Sequence, residues 1–338
     1  MNYLVTGGSG YLGNELINTL KTPDNEIINV DILPSDNENS NNYNLDIRNK
    51  SEVEKIFKEK KIDVIIHNSA LVPITKKKDF DKTNLESTKL MLFFFEKYKI
   101  KKFIFISSSA VFGVPDKCPI LEISERQPVE AYGQSKMKSE NLCFDKINQG
   151  KNITIIRPRT IIGLNRFGIF SILFDWLKND LPIPVIKGGK NLYQFVDIRD
   201  LCNAIMLTSK SDYRGALNIG SSDVKKILEI LQFLKNEFNS KSKIKSIENS
   251  IILKIGFLMQ KMNLIPLHDY HFKVYGSDVY FDISLAKKIL GWTPKYSTFE
   301  SFKDSYNHYL LNYLSDRRKS IHQRIINNYI LRYVSLFL

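Results

Sequence analysis

Residues 3–20 read YLVTGGSGYLGNELINTL, an apolar run followed by a glycine-rich loop and then by a segment of helical period. The apolar run predicts a buried strand, and the last part predicts an amphipathic helix. Gly7 can make a tight turn, Gly10 lets the backbone approach a bound group closely, and Gly13 lets the helix pack on the strand. The loop would therefore hold an anionic group at the amino terminus of a helix, where free amide groups and the helix dipole favour negative charge.

Short apolar runs alternate with helical segments through the first half of the chain, which is typical of a parallel sheet covered by helices on both faces. The predicted strands are Tyr3–Thr6, Ile27–Val30, Ile62–His67, Phe103–Ser107 and Ile153–Arg157. The predicted helices are Tyr11–Lys21, Ser51–Lys60, Asn84–Tyr98 and Tyr132–Gln149. The sequence therefore predicts an α/β protein of the Rossmann type, with a doubly wound parallel sheet and right-handed crossovers.

The second half of the chain is patterned more loosely, with prolines and glycines between short apolar segments. Further predicted elements are a helix at Phe170–Lys178, short strands at Gln194–Asp200 and Ala216–Ile219, and a helix at Ala286–Leu290 that stops at Gly291. We expect residues 1–165 to form the Rossmann domain. Residues 166–315 should form mainly a smaller carboxyl-terminal subdomain that binds the substrate, with short returns to the Rossmann domain near 194–220.

The composition is that of an ordinary globular protein, because 43% of the 338 residues are hydrophobic and 25% are charged. The net charge of +13 favours anionic partners, but the lysines are scattered, so we expect a generally basic surface and no nucleic-acid site. The three cysteines lie far apart, which predicts no metal site and no disulfide framework. The first strand begins almost at once and no long apolar run follows, so we expect a cytoplasmic protein without a conventional membrane span.

An acidic residue follows the second predicted strand. Asp31 lies about 20 residues after the glycine loop, where a carboxylate can accept hydrogen bonds from the hydroxyl groups of an adenosine ribose. The same charge would repel a 2′-phosphate, so the cofactor is predicted to be NAD rather than NADP. Asp46 is a weaker candidate for a contact near the adenine.

Tyr132 and Lys136 lie in the first turns of a predicted helix, and residues four apart lie on one helical face. A lysine and an oxidised nicotinamide beside a phenol favour the phenolate, which would lower the pKa of Tyr132 towards a value useful for proton abstraction. A serine after the strand Phe103–Ser107 could hydrogen-bond the reacting hydroxyl at the sheet edge where ligands bind. Alternatively, Ser107, Ser108 and Ser109 are three small residues that only fill the turn after the strand.

These motifs resemble those of the extended short-chain dehydrogenase/reductase family, in its nucleotide-sugar epimerase and dehydratase branch. The TGGxGxxG of that family is matched by Thr6–Gly13, and its YxxxK is matched by Tyr132 and Lys136 in the expected order. Its small-residue turn is matched by Ser108–Gly113, with Phe112 where the family has tyrosine. The resemblance covers nearly the whole chain.

The motifs and the resemblance together imply a set of site residues. Counting back from the glycine of the small-residue turn places the catalytic hydroxyl at Ser108, with Ser109 as the alternative. The residues expected at the cofactor are Gly7, Gly10, Tyr11, Leu12, Gly13, Asp31, Asp46, Tyr132, Lys136 and, by resemblance alone, Ala70, Leu71 and Asn84. Those implied to face the substrate are Ser108, Ser109, Asn165, Arg166, Gln194 and Asp197.

The resemblance also implies a reaction. Tyr132 would take a proton from a sugar hydroxyl as hydride passes to NAD, and hydride return to the keto sugar would give an epimer. Dehydratases of this branch carry an acidic pair after the catalytic hydroxyl, where this chain has Ser109 and Ala110. A 4-epimerase of a nucleoside-diphosphate sugar, in polysaccharide biosynthesis, is therefore expected. The alternatives are a NAD(P)-dependent reductase or dehydrogenase of a nucleotide sugar or a sterol-like alcohol, and a dinucleotide-binding regulator without catalysis.

Two expectations concern assembly and the carboxyl-terminal tail. A homodimer through the helices at 84–98 and 132–149 is implied by the family alone. Residues 316–338 extend past the usual closing motif of the family and combine arginines with a stripe of Ile, Tyr and Phe residues. A basic helix with one apolar face can lie in the interface of an anionic membrane, or it can pack on the core or on a second subunit.

Overall fold

The computed structural model describes residues 1–72, 79–247, 274 and 276–312. The strands are β1 Asn2–Thr6, β2 Glu26–Asp31, β3 Asn41–Asn44, β4 Val64–His67, β5 Lys102–Ile106, β6 Ile153–Pro158, β7 Thr160–Ile162, β8 Ile183–Ile186, β9 Leu192–Tyr193, β10 Phe195–Asp197, β11 Gly215–Ile219, β12 Lys225–Lys226 and β13 Ile244–Ile247. The helices are α1 Tyr11–Leu20, α2 Lys50–Glu59, α3 Glu86–Lys97, α4 Ala131–Asn148, α5 Phe170–Lys178, α6 Ile198–Ser209, α7 Ile227–Glu237, α8 Ser284–Leu290 and α9 Thr298–Asn312. A π-helical turn at Asp81–Leu85 precedes α3, and 3₁₀ turns lie at Ser109–Phe112 and Lys187–Gly189.

Seven of these strands form one sheet in the spatial order β11, β6, β5, β4, β1, β2, β3. Every neighbouring pair in this sheet is parallel. The chain runs outward from β1 in both directions, so the strand order reverses between β1 and β4. This is the doubly wound sheet of a Rossmann-type α/β protein, and it confirms the predicted fold class. Ligands bind to such sheets at the carboxyl ends of the strands on either side of the reversal.

The central strands are buried on both faces, which is why they read as continuous apolar runs in the sequence. All four residues of β4 and all five of β5 are buried. In β1, Leu4 packs with residues of α2 and α3, whereas Tyr3 and Val5 pack on the opposite face with residues of α1 and α6. Packing against helices on both faces therefore fixes the carboxyl ends of the strands. It also fixes the position of the loop residues that follow each strand.

Two of the differences from the sequence prediction lie at β3 and at the boundary between β10 and α6. The polar sequence NNYN gives no strand signal, yet it forms β3 at the sheet edge, where three of its four residues are exposed. The predicted strand Gln194–Asp200 is wrong in its second half, because β10 ends at Asp197 and α6 begins at Ile198. Asp197 caps this helix, since its carboxylate accepts a hydrogen bond from the N–H of Arg199 at 2.9 Å.

The later part of the chain adds short strand pairs and returns to the main sheet. β10 pairs with β7, β12 with β9 and β13 with β8. This part of the chain also returns twice to the main sheet and its helices. The first return is α6, which packs against α1, and the second is β11, which pairs with β6. α8 ends at Gly291, whose φ of +59° is left-handed, so the predicted helix with a glycine stop is confirmed.

The predicted amphipathic tail at 316–338 lies outside the described residues. In the ranges that the structure describes, no helix is long and apolar enough to cross a membrane. The same ranges bring together no group of three or more His, Cys, Asp and Glu side chains that could hold a metal ion.

Candidate active site

The glycine loop lies between the carboxyl ends of β1 and β4. Gly7 has a φ of +72°, which favours glycine, and its N–H donates to the carbonyl of Val30 at 2.9 Å. A β-carbon on Gly7 would lie 2.9 Å from the backbone of Ser69, and one on Gly13 would lie 2.1 Å from the carbonyl oxygen of Gly7. Gly10 precedes α1 and offers no side chain to cap its first amides. The loop thus has the close packing and the uncapped helix terminus that a diphosphate requires.

The first two residues of α1 point into the protein. Tyr11 and Leu12 are only 5% and 7% exposed and belong to the hydrophobic core. The guanidinium of Arg166 lies 5.5 Å from the centre of the Tyr11 ring. Any contact of Tyr11 and Leu12 with a cofactor would therefore come mainly from their backbone amides.

Asp31 ends β2 next to the glycine loop, and Asp46 lies farther along the chain. The Asp31 carboxylate accepts hydrogen bonds from the N–H of Ser9 at 3.0 Å and of Leu33 at 2.9 Å. Burial raises the pKa of this carboxyl, and those backbone hydrogen bonds act in the opposite direction. Asp46 instead forms an ion pair with Arg48 at 2.6 Å, and both side chains are 40% exposed. Asp31 is thus joined to the loop, whereas Asp46 is held by a surface arginine.

Ser108 and Tyr132 meet at the carboxyl end of β5. The Ser108 hydroxyl lies close enough to the Tyr132 phenol to lower its pKa, and both residues are half-buried. Gly133 permits this contact, because a β-carbon there would lie 2.5 Å from the carbonyl oxygen of Ala110 in the 3₁₀ turn. Ser109, the alternative from the sequence, is 7% exposed and forms part of that turn. Of the two serines, Ser108 is the one that contacts the phenol.

Lys136 follows one helical turn after Tyr132 and is 2% exposed. Its Nζ donates to the carbonyl of Ile106 at 2.7 Å and lies 4.8 Å from the centre of the Phe105 ring. Burial lowers the pKa of Lys136 to about 8. Burial also raises the pKa of Tyr132 to about 12, against the effect of the Ser108 hydroxyl, which lowers it. The direction for the phenol is opposite to the one expected from the sequence, because removal from water outweighs the favourable contacts.

Asn84 joins the loop after β4 to the first turn of α4. It is 2% exposed and lies in the π-helical turn Asp81–Leu85, which closes with a bond from the Glu86 N–H to the carbonyl of the first residue of that turn. Its Oδ1 accepts from the N–H of Leu71 at 2.7 Å, and its Nδ2 donates to Ser135 Oγ at 3.0 Å. Ala70, half-buried, precedes Leu71 in the same loop. Asn84 therefore shapes the walls of the site from within the protein.

His67, at the end of β4, has no exposed surface. Its Nδ1 lies 2.8 Å from Thr6 Oγ1 and its Nε2 lies 3.2 Å from Thr88 Oγ1. Burial lowers the pKa of His67 to about 3, so the imidazole is neutral. The residue ties β1 and β4 to α3 and offers no proton for chemistry at neutral pH.

The residues expected on the substrate side differ in what they present. Asn165 has a φ of +61° and is half-buried, as is Arg166. The Nε of Arg166 donates to the carbonyl of Ile161 at 3.1 Å, and its guanidinium also lies 5.6 Å from the centre of the Phe170 ring. This pair lies beside the glycine loop through the contact of Arg166 with Tyr11.

Gln194 and Asp197, which the resemblance implied to face the substrate, both have partners within the protein. Gln194 is 1% exposed, its Nε2 donates to the carbonyl of Ser221 at 2.8 Å, and its Oε1 accepts from the N–H of Phe281 at 2.9 Å. Asp197 is likewise 1% exposed and is paired with Arg199 at 2.8 Å. Both polar groups are thus hydrogen-bonded or ion-paired within the protein, and their contact with a substrate stays a prediction.

Sequence reasoning missed Glu140, which follows Lys136 by one helical turn and has no exposed surface. It accepts hydrogen bonds from Ser107 Oγ at 2.6 Å, from Arg157 at 2.9 and 2.7 Å, and from Arg126 at 2.9 Å. The sequence signal that could have found it is the four-residue spacing of the catalytic pair, which continues to Glu140.

Comparison with known proteins places these features in context. The model of the NAD dependent epimerase/dehydratase family matches residues 3–220. An uncharacterized protein of Sinorhizobium fredii is 37% identical over 313 residues, which cover 91% of this chain and 78% of that protein. A putative UDP-glucose 4-epimerase of Methanocaldococcus jannaschii is 28% identical over 321 residues, covering 89% of this chain and 95% of that protein. The crystal structure of UDP-glucose 4-epimerase with UDP-glucose from Thermotoga maritima has the same fold, with a TM-score of 0.77 and 23% identity over 93% of this chain and 100% of that one.

Proposed function

Since the chain belongs to the NAD-dependent epimerase/dehydratase family, we propose that it is a 4-epimerase of a nucleoside-diphosphate sugar. Membership confirms the family, the enzyme class and the NAD cofactor predicted from the sequence. The observation that carries the finer proposal is the placement of Tyr132 and Lys136 one turn apart on α4, with the Ser108 hydroxyl near enough to the phenol to lower its pKa. These three residues lie at the edge of the sheet beside the glycine loop.

The residues that would hold NAD are the glycine loop, through its backbone amides, and Asp31, through its carboxylate. The loop fits this role because Gly7 and Gly13 leave no space for a β-carbon and Gly10 leaves the start of α1 uncapped. A negative charge at Asp31 disfavours a 2′-phosphate. When bound, NAD supplies the acceptor and the later donor of a hydride.

Each catalytic residue then has a distinct task in moving the proton. Tyr132 takes the proton of the sugar hydroxyl at its phenolic oxygen and returns it after the keto sugar has been reduced. Ser108, whose hydroxyl lowers the pKa of the phenol, would hold the sugar hydroxyl in line with Tyr132. Lys136 places a positive charge one turn from the phenol, which favours the phenolate. Because burial raises the pKa of Tyr132 to about 12, positive charge near the phenol is needed for it to act as a base at neutral pH.

Epimerisation is favoured over dehydration by the residues that follow Ser108. Ser109 and Ala110 are buried at 7% and 5% exposure, and neither carries a group that could protonate a leaving hydroxide. The curated relatives named as UDP-glucose 4-epimerases support a uridine nucleotide as the first carrier to test. Asn165 and Arg166 are the substrate contacts that we propose from the described side chains.

We further propose that residues 1–165 bind NAD and that 166–315 supply most of the contacts with the sugar nucleotide. The returns near 194–220 are consistent with this division, because β11 extends the main sheet. The homodimer, the cytoplasmic location, the role in polysaccharide biosynthesis and the membrane contact of 316–338 stay predictions.

The test is incubation of the purified protein with UDP-, GDP- and dTDP-sugars, with the stereochemistry at C4 followed by NMR. We expect inversion at C4 without net formation of NADH. Tyr132→Phe should abolish turnover while NAD stays bound, because it removes only the phenolic oxygen. Stoichiometric NADH with an oxidised product would instead establish a dehydrogenase, and bound NAD without turnover of any sugar would establish a regulator.

A further inference from the structure

Three consecutive residues at the carboxyl end of β5, 106–108, each contact helix α4. Two of the contacts are hydrogen bonds, from Lys136 Nζ to the Ile106 carbonyl at 2.7 Å and from Ser107 Oγ to Glu140 Oε1 at 2.6 Å. The third is the approach of the Ser108 hydroxyl to the Tyr132 phenol, whose pKa it lowers. The helix residues lie four apart, so they occupy one face of α4 over two successive turns. We call these three contacts the strand–helix clamp. Two of them involve residues assigned to the chemistry, and the third involves Glu140.

Glu140 is fixed more firmly than the other members of the clamp. Its Oε1 accepts from Ser107 and from Arg157 Nε, and its Oε2 accepts from Arg157 Nη2 and Arg126 Nη1, at 2.6 to 2.9 Å. Glu140 and Arg157 are 0% and 1% exposed. A buried carboxylate with donors on both oxygens cannot change its rotamer without leaving charges unpaired. Ser107 is thus attached to a rigid part of the core.

Glu140 also contributes charge to the site. Its carboxylate lies one helical turn after Lys136 and raises the pKa of that ammonium, whereas burial lowers it. The other groups near Lys136 are Cys143 from α4, His67 from β4 and the Phe105 ring from β5. His67 is neutral, so the negative charge of Glu140 is the main support for a protonated Lys136 among these groups.

We propose that Glu140 is a positioning residue for the reaction, holding Ser107 so that Ser108 stays on Tyr132 and keeping a negative charge one turn from Lys136. This inference rests on the proposed function, because that function assigns the proton transfer to Ser108, Tyr132 and Lys136. A cluster that only stabilises the fold is the competing explanation. The two explanations differ in the kcat that they predict for each folded enzyme molecule with bound NAD. A positioning role predicts a lower kcat when the contact is removed, whereas a structural role predicts no change.

Two variants test the clamp in the full-length enzyme. Ser107→Ala removes one contact and leaves the ion pairs of Glu140 intact, so kcat per bound NAD should fall about 10-fold while KM changes less than about two-fold. Ser107→Thr keeps the hydroxyl and should restore most of the rate. Ser209→Ala is the matched control, because Ser209 is also buried and hydrogen-bonded through its hydroxyl, at the end of α6.

Glu140→Gln tests the charge. Without the carboxylate, Lys136 should lose its proton at lower pH, so the alkaline limb of the kcat profile should move down by about one pH unit. Ser107→Ala should leave that limb unchanged, because the charge remains. The kcat of Glu140→Gln should fall about 100-fold, since this variant alters both geometry and charge.

The proposal would be overturned if kcat per bound NAD were unchanged in both Ser107→Ala and Glu140→Gln and the pH profile of Glu140→Gln were also unchanged. The cluster around Glu140 would then be purely structural. If Glu140→Gln does not fold, the kcat values of Ser107→Ala and Ser107→Thr test the proposal. Failure of the proposed function is a separate result, seen as no turnover of any sugar nucleotide by the wild type. Amide hydrogen exchange of residues 106–113 then tests the clamp. It should rise in Ser107→Ala and not in Ser209→Ala, and equal exchange in both would overturn the proposal.

Discussion

Replacing Gly133 with alanine should separate catalysis from stability. Gly133 lies in the first turn of α4, where a β-carbon would come within 2.5 Å of the carbonyl oxygen of Ala110. Ordinary van der Waals contact begins near 3.4 Å, so this turn must move by about 1 Å. The same movement carries the Tyr132 phenol away from Ser108. Since a misplacement of about 1 Å can cost about 100-fold in rate, we expect kcat to fall by about that factor.

The effect of the same substitution on stability should be small. Alanine is favoured over glycine in a helix by about 1 kcal/mol, and overpacking costs about 1–3 kcal/mol, so the net loss of stability should not exceed about 2 kcal/mol. The assay is turnover per bound NAD, measured beside thermal unfolding. Gln134→Ala is the control, because Gln134 is exposed in the same turn. A Gly133→Ala enzyme that keeps kcat within about three-fold of wild type would show that α4 accepts the methyl group without moving Tyr132, and would refute the reasoning.

Two further substitutions test how individual side chains are used. Asp31→Asn should reduce the ratio of NAD affinity to NADP affinity by about 10-fold or more, because it removes a negative charge next to the glycine loop. Fluorescence titration with both cofactors measures this ratio. An unchanged ratio would mean that Asp31 does not face the ribose. Gln194→Ala should lower the free energy of unfolding by about 2–4 kcal/mol with little change in KM, because it leaves the carbonyl of Ser221 and the N–H of Phe281 without their side-chain partner. Chemical denaturation and steady-state kinetics measure the two quantities, and a large rise in KM at unchanged stability would identify Gln194 as a substrate contact.

The sheet could be predicted because burial on both faces leaves a strong sequence signal. β4 and β5 are almost wholly apolar, and each is followed by polar residues where the strand ends. β3 could not be predicted, because an edge strand with exposed side chains has no need for apolar residues. The boundary between β10 and α6 depends on the capping hydrogen bond of Asp197, which a search for apolar runs does not detect.

The candidate site was predictable only where its residues are close in sequence. The spacing of Tyr132 and Lys136 follows from helix geometry, and the glycine loop follows from its place after a strand. Glu140 escaped prediction because its partners come from separate parts of the chain and meet only in the fold. The raised pKa of Tyr132 escaped it because spacing shows which groups share a face, but does not show how far water is excluded from them.

The π-helical turn before α3 has a consequence for how the chain tolerates changes in length. In the turn Asp81–Leu85 the bond to Glu86 spans five residues, one more than in an α-helix. Deleting one residue there would favour regular α-helical winding and would turn Asn84 by about 100° relative to α3. Asn84 would then lose Leu71 and Ser135 together. Insertions and deletions should therefore be rarer in this turn than in exposed loops of the same length, although the turn has no catalytic group of its own.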